Sequence, residues 1–357
     1  MTSRRTLLKG ALLAGAGAAA TLLPVLPAAA DPALCLRLPA PTGPYPVGLR
    51  TVHLTDPTRE DPWVGGAREV MLTVLYPAAG VRGCPCAPQL TPAEARKFAE
   101  LAPWIHQGLP AEGTVDWGTV RTHGHIGAPP LPGRRPVLLY SPGGGDSRSL
   151  GSGLAEDLAS HGRTVVLVDH PGDAGVVELP TGLRTTVLMG PPDPATFRIM
   201  IDTRVADLRF VLDQLPRLLP EASGIGIYGH SAGGTAAVYA AGHDPRVRAV
   251  ANLEGYLDLD LAPVPAPARL LLLFRTDGFE GAARIDTSWT GVPGERALLR
   301  DANHWAFTDF AALVPRLQAA GLVTDETRAA LVGTGDPAGT VAAVRRRVGA
   351  FFARRLP

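Results

Sequence analysis

Ile225-Gly226-Ile227-Tyr228-Gly229-His230-Ser231-Ala232-Gly233-Gly234 decides how the rest of the chain is read. An apolar run leads into Gly-x-Ser-x-Gly, and the helix-forming Thr235-Ala236-Ala237-Val238-Tyr239-Ala240-Ala241 follows directly. The pattern predicts a buried strand, a sharp turn and a helix. That arrangement is a nucleophile elbow, which lifts a serine clear of a sheet edge on strained backbone and tolerates only small neighbours, here Gly229 and Gly233. The helix starting at the serine turns its free N–H groups toward the oxygen, so Ala232 N–H is the expected first oxyanion donor. With 41 glycines among 357 residues the motif has weight only in context.

The context is a run of parallel-type strands alternating with helices. Pro136-Val137-Leu138-Leu139-Tyr140 and Thr164-Val165-Val166-Leu167-Val168 precede the elbow; Val247 to Leu253, Arg269 to Phe274 and Arg296 to Arg300 follow it. Between them, Leu150 to Ser160 and Arg204 to Leu215 read as helices. This alternation predicts an α/β fold, a mostly parallel doubly wound sheet with flanking helices. Upstream, Thr51 to Leu54 and Glu69 to Tyr76 read as antiparallel edge strands. Residues 91–130 read as an insertion opening with a helix at Thr91-Pro92, and residues 176–198 as a lid or acyl-chain wall.

Ser141-Pro142-Gly143-Gly144-Gly145-Asp146 follows the first parallel strand. A glycine-rich loop there lets backbone N–H groups approach a substrate, so Gly143 N–H is the expected second oxyanion donor, with Gly144 next. A phosphate cradle is excluded by the missing Lys and Ser/Thr of a P-loop.

An elbow serine needs a histidine to take its proton and a carboxylate to fix that histidine's tautomer. Only His243 and His304 follow Ser231. His243 falls at a helix end, whereas His304 follows the last strand and is the expected base. Two carboxylates compete for the third role: Glu254, closing the strand after the elbow, and Asp277, beside Gly278 after the next strand, where capping a turn is natural. His170 at the end of a strand reads as a pocket or hydrogen-bonding residue, and Trp305 and Phe307 as either acyl-pocket or core. His123, His125, His106 and Asp116 lack metal-site spacing, so neither a metal nor a cofactor is expected.

The leader is equally legible. Ser3-Arg4-Arg5-Thr6-Leu7-Leu8-Lys9, an uncharged Gly/Ala/Leu run and Ala28-Ala29-Ala30 predict a twin-arginine-type signal peptide over residues 1–30, read by export machinery. Residues 31–357 are then expected as one domain, secreted to the periplasm or beyond, with no later stretch long enough to span a bilayer. A retained anchor is the competing reading, disfavoured by the small residues and cleavage site. Formal charge is +1, and removing Arg4, Arg5 and Lys9 leaves 31 basic against 33 acidic groups, a net −2 that offers no case for a nucleic-acid or anionic-membrane binder. A hydrophobic fraction of 46% supports a large core. Three cysteines in an exported protein permit one disulfide, Cys35 with Cys84 or Cys86.

Val74-Leu75-Tyr76-Pro77-Ala78, the Gly-rich loop, Asp169-His170, Arg204-Val205-Ala206-Asp207-Leu208-Arg209-Phe210, Gly229 to Gly234, Asn252-Leu253-Glu254-Gly255 and His304-Trp305-Ala306-Phe307-Thr308-Asp309-Phe310 together resemble the secreted α/β-hydrolases related to platelet-activating factor acetylhydrolase. The resemblance implies the α/β-hydrolase fold and a serine esterase or lipase. It makes Ser231 the nucleophile and His304, opening His-x-x-Phe-x-Asp-Phe, the base; the acid falls at Glu254, where that family usually has Asp. The His-Gly-x-Gly of that family is Ser141-Pro142-Gly143-Gly144 here, which keeps the backbone donor and loses the histidine. The expected substrate is a small-molecule or lipid ester, including short-acyl phospholipids. A polyester or cutin hydrolase on the same scaffold and a non-catalytic binding protein are the alternatives.

Overall fold

The computed structural model describes residues 34, 36–188, 190, 192–259 and 270–356. The leader and Cys35 lie outside them. Cys84 and Cys86 are free thiols among the described residues.

In chain order the elements are β1 (Val47–Glu60), β2 (Ala67–Pro77), β3 (Cys86–Pro88), α1 (Pro92–Ile105), β4 (Arg121–Ile126), β5 (Arg135–Ser141), α2 (Ser152–Ser160), β6 (Thr164–Asp169), β7 (Val176–Leu179), β8 (Gly182–Thr185), α3 (Pro194–Leu218), β9 (Ala222–His230), α4 (Ala232–His243), β10 (Val247–Leu253), β11 (Leu271–Thr276), α5 (Ala282–Ser288), β12 (Glu295–Leu299), α6 (Phe310–Ala319), α7 (Asp325–Val332) and α8 (Pro337–Arg355). Among the described residues ten strands form one sheet in the order β12-β11-β10-β9-β5-β6-β2-β1-β4-β3. The six from β12 to β6 run parallel, and β2 pairs antiparallel with both β6 and β1. The expected doubly wound sheet is therefore present.

Period-2 side-chain alternation explains why the parallel strands read as unbroken apolar runs: both faces are covered. Val137, Leu139, Val166, Val168 and Ile227 face the helices α3 and α4, while Leu138, Tyr140, Val165, Leu167 and Tyr228 face α2 and α8. The Thr91 hydroxyl and Glu94 carboxylate form a reciprocal capping box at the start of α1, as the Thr-Pro signal predicts.

Two expectations need correction. β1 runs far beyond Thr51–Leu54, and β1 and β2 are antiparallel but not at the edge, because residues from the 91–130 stretch return as β4, which pairs with β1 and carries β3 outside it. The helix before the elbow strand starts at Pro194, capped by the Asp193 carboxylate, ten residues earlier than periodicity suggests. Within the stretch read as a lid or acyl-chain wall, β7 and β8 make a hairpin, Gly175 N donates to Gly145 O, and Arg184 is bonded to Asp61 at 2.9 Å and Glu69 at 3.2 Å.

Candidate active site

The parallel strands end on one side of the sheet, where the chain turns into helices and loops. Ser231 sits between β9 and α4 at φ 52°, ψ −124°, a conformation costing about 1–3 kcal/mol for a residue with a Cβ. The fold holds it there through Ser231 N donating to Leu253 O and Thr235 N donating to Ser231 O. The flanking glycines are steric necessities. A Cβ at position 229 would lie 2.2 Å from Gly233 O, and one at 233 would lie 2.0 Å from Ser141 O.

Glu254 directly follows β10 in a second strained conformation, φ 64°. Its backbone is pinned by N–H donation to Phe274 O, and the next residue is locked by Asn252, whose side chain bonds both Gly255 N and Gly255 O. The carboxylate is 1% exposed. Oε1 accepts from Thr276 N at 2.6 Å and Thr276 Oγ1 at 2.8 Å, and Oε2 lies 2.8 Å from His304 Nδ1. Both oxygens are thus committed, one to the sheet and one to the imidazole.

Asp277, the competing acid, is exposed and accepts from Asp301 N and Ala302 N, which is a turn cap. His243 ends α4 on the surface.

The His304 ring stacks on Phe279 at 4.1 Å between centroids and lies 4.5 Å from the ring of His230, the residue preceding Ser231. His230 Nε2 donates to His304 O at 2.9 Å. Nδ1 of His304 faces a carboxylate, so Nε2 is left for proton transfer. Burial lowers its pKa below 6.5, neighbouring His230 adds to this, and Glu254 opposes both. Ser231 Oγ forms no hydrogen bond with His304 here. That bond is commonly long in substrate-free hydrolases and tightens in the complex.

Three backbone N–H groups near this site have no acceptor among the described residues: Ala232, at the first turn of α4, and Gly143 and Gly144, in the loop after β5. Position 143 has no room for a side chain, since a Cβ would meet Asp146 Oδ2 at 2.5 Å. At Gly144 it would stand in ordinary contact with Ala232, 3.9 Å away.

The sequence reading missed a buried cluster beside this loop. Asp146 lies between His106 Nε2 (3.1 Å) and His230 Nδ1 (3.6 Å), contacts with ion-pair rather than hydrogen-bond alignment. Burial pushes the Asp146 pKa up, but the two imidazoles outweigh it and hold the group well below the ordinary carboxylate range. The signal was Asp146 itself, an acid closing a glycine run. Nothing local pointed to His106, delivered from the end of α1.

The remaining candidates have separate partners. His123 pairs with Glu156 and His125 with Cys84 O, while Asp116 caps a turn at Gly118 N. Among the described residues no group of three or more His, Cys, Asp or Glu side chains is arranged so that it could hold a metal ion. His170 is fully buried, hydrogen-bonded to Ser141 and Asp207 beneath the loop rather than lining a pocket. Phe307 is core, packed on Phe274, whereas Trp305 stays half-buried against His106. Asp309 of the His-x-x-Phe-x-Asp-Phe segment accepts from Gly153 N and Gln89 Nε2, tying the histidine loop to α2 and to the segment before α1.

Sheet order, elbow and flanking helices define the class: the chain belongs to the α/β-hydrolase family, whose model, described as alpha/beta hydrolase fold, matches residues 136–308. Its particular likenesses are to esterases. It is 31% identical over 230 residues to a protein of Arthroderma benhamiae named as a probable 1-alkyl-2-acetylglycerophosphocholine esterase, a match covering 62% of this chain and 59% of that protein. The chain therefore spans about three fifths of that relative's length. A solved structure of a ferulic acid esterase from Streptomyces cinnamoneus superposes with a TM-score of 0.72 at 32% identity, covering 90% of this chain and 93% of the other. No helix among the described residues is long and apolar enough to cross a membrane.

Proposed function

We propose that the protein is an exported serine hydrolase of carboxylic esters, working through Ser231, His304 and Glu254. The observation that carries this reading is the 2.8 Å contact of His304 Nδ1 with a doubly anchored Glu254 carboxylate, beside a strained serine elbow. Glu254 fixes the His304 tautomer, with the proton on Nδ1, and stabilises the imidazolium. His304 Nε2 takes the Ser231 proton as Oγ attacks the ester carbonyl, and returns it to the leaving alcohol. The N–H groups of Ala232 and Gly143 receive the oxyanion, and water activated by His304 then releases the acyl group. The chain's own residues suffice for each step. The esterase names of both relatives support small or aromatic acyl esters as the substrate class. The paired arginines and Ala28-Ala29-Ala30 support export.

The test uses the full chain expressed in a host with a twin-arginine pathway. A fluorophosphonate probe should label exported protein on the peptide containing Ser231, with a new amino terminus at Asp31. That material should hydrolyse p-nitrophenyl acetate, with a panel of feruloyl esters, short-acyl phospholipids and polyester film ranking the substrate classes. Folded wild-type protein that resists the probe would remove the catalytic reading.

The depressed His304 pKa sets a pH dependence. The base works only when neutral, so kcat/KM should fall as pH drops through a midpoint below 6.5 and stay level just above it. Because the native state binds fewer protons than the unfolded chain between that midpoint and 6.5, stability should decline over the same interval as the solution becomes more acidic. A pH series of initial rates and melting curves checks both; an acid midpoint well above 6.5 contradicts the assignment of this histidine.

A further inference from the structure

Arg204, on α3, is fully buried and is left unused by the mechanism above. Its guanidinium reaches into the loop after β5. Nη1 donates to Pro142 O at 2.5 Å and to Ser141 Oγ at 3.3 Å, Nη2 donates to Gly143 O at 2.9 Å, and Nε pairs with Asp173. The ensemble is braced from behind. Ser141 Oγ meets His170 Nε2 at 2.9 Å, His170 Nδ1 meets Asp207 Oδ2 at 2.9 Å, and Asp207 is held by Arg68 at 2.8 Å. Every side chain in this relay is essentially sealed from solvent.

A trans peptide is planar, and its C=O and N–H point in opposite directions. Pro142 C=O shares a peptide unit with Gly143 N–H, and Gly143 C=O shares one with Gly144 N–H. Drawing both carbonyls toward Arg204 therefore turns both amides away from it. These are the two amides of this loop that lack an acceptor among the described residues. The two glycines alone would leave the loop free to flip, since glycine has little intrinsic preference among backbone conformations. The positive charge also polarises each peptide and strengthens its N–H as a donor.

We propose that Arg204 is the positioning residue of the oxyanion hole, orienting the Gly143 and Gly144 amides and polarising them through their own carbonyls. This rests on the serine-esterase reading of the site. Arg204 touches neither substrate nor the reacting atoms; it acts through the two peptide units it holds.

The test compares wild type with Arg204→Met and Arg204→Lys, counting competent sites by fluorophosphonate labelling and expressing kcat per labelled serine. Loss of an oxyanion donor costs on the order of 10²–10³ in kcat, and Arg204→Met should fall in that range with KM within about twofold. Lysine, a point charge, cannot reach both carbonyls and the Asp173 carboxylate together, so Arg204→Lys should lose at least about tenfold. That variant carries the test if the methionine form does not fold. Affinity for a trifluoromethyl ketone, bound as the tetrahedral adduct, should drop by the same factor as kcat/KM. Arg345→Lys is the control, because Arg345 is likewise buried but holds the carbonyls of Pro39, Ala40 and Gly153. It should lower the melting temperature and leave kcat per site unchanged. If the Arg204 variants melt lower but keep their kcat per labelled serine and their ketone affinity, the positioning role is wrong while the esterase reading stands. If wild type does not label at Ser231, the esterase reading fails, and this proposal fails with it.

Discussion

Ser231→Ala and His304→Ala should each lower kcat for p-nitrophenyl acetate by on the order of 10⁵–10⁶, and the double variant should be no worse than either alone. The non-additivity follows from the division of labour. Without a base the hydroxyl keeps its proton, and without the hydroxyl the base has nothing to deprotonate. What survives should be the weak catalysis of the oxyanion donors acting on an attacking water. Alanine fits both positions: Ser231 is half-exposed at the elbow, and truncating His304 removes a ring stacked on Phe279. Melting curves should show the serine variant close to wild type and the histidine variant lower. Appreciable turnover in Ser231→Ala, measured on protein free of host esterases, would place the nucleophile elsewhere.

Glu254→Ala should cost on the order of 10⁴ in kcat, and Asp277→Ala no more than a fewfold. Glu254 stands behind His304 Nδ1 and has no solvent to replace it, so its removal leaves the imidazole free to adopt the wrong tautomer and the imidazolium unpaired. It also strands Thr276 N and Thr276 Oγ1, which are buried donors to Oε1, so the variant should melt lower as well. Glu254→Gln retains the shape, and its remaining loss would isolate the charge. Asp277 only caps the turn at 301–302, on the surface, and its alanine variant should show a stability loss of about 1 kcal/mol with kcat per labelled site nearly intact. The opposite ranking would transfer the acid to the end of β11.

Much of the site was legible because its chemistry constrains local sequence. The elbow needs small residues at fixed offsets, and chain order leaves His304 as the histidine that follows the last strand. Glu254 stood out as a charge closing an apolar run, and its separation from Ser231 matched the resembled family. The parts that left no signal depend on distant partners. Residues 176–185 show no apolar alternation that announces two strands, and the long-range contacts of Arg184 and Gly175 fasten their hairpin. Thr51–Leu54 looked short because β1 is only partly buried and its outer half carries polar side chains, although every residue from Val47 to Asp56 is paired with β2. Asp146 and Arg204 gave no reading as a unit, because Asp146 meets His106 from the end of α1 and Arg204 reaches from α3 to the loop after β5, and such meetings leave no pattern along the chain.

The contact between position 233 and the carbonyl of Ser141 has a wider consequence. Strand, turn and neighbouring loop are meshed there like gear teeth, with clearance for a hydrogen atom and nothing larger. The part of the protein that would carry the reaction is therefore a rigid cassette, closed to gradual resculpting. Diversification toward other acids or alcohols has to happen in the surrounding rings, such as Phe279 and Trp305 packed on His304, where a change of shape does not force the cassette apart.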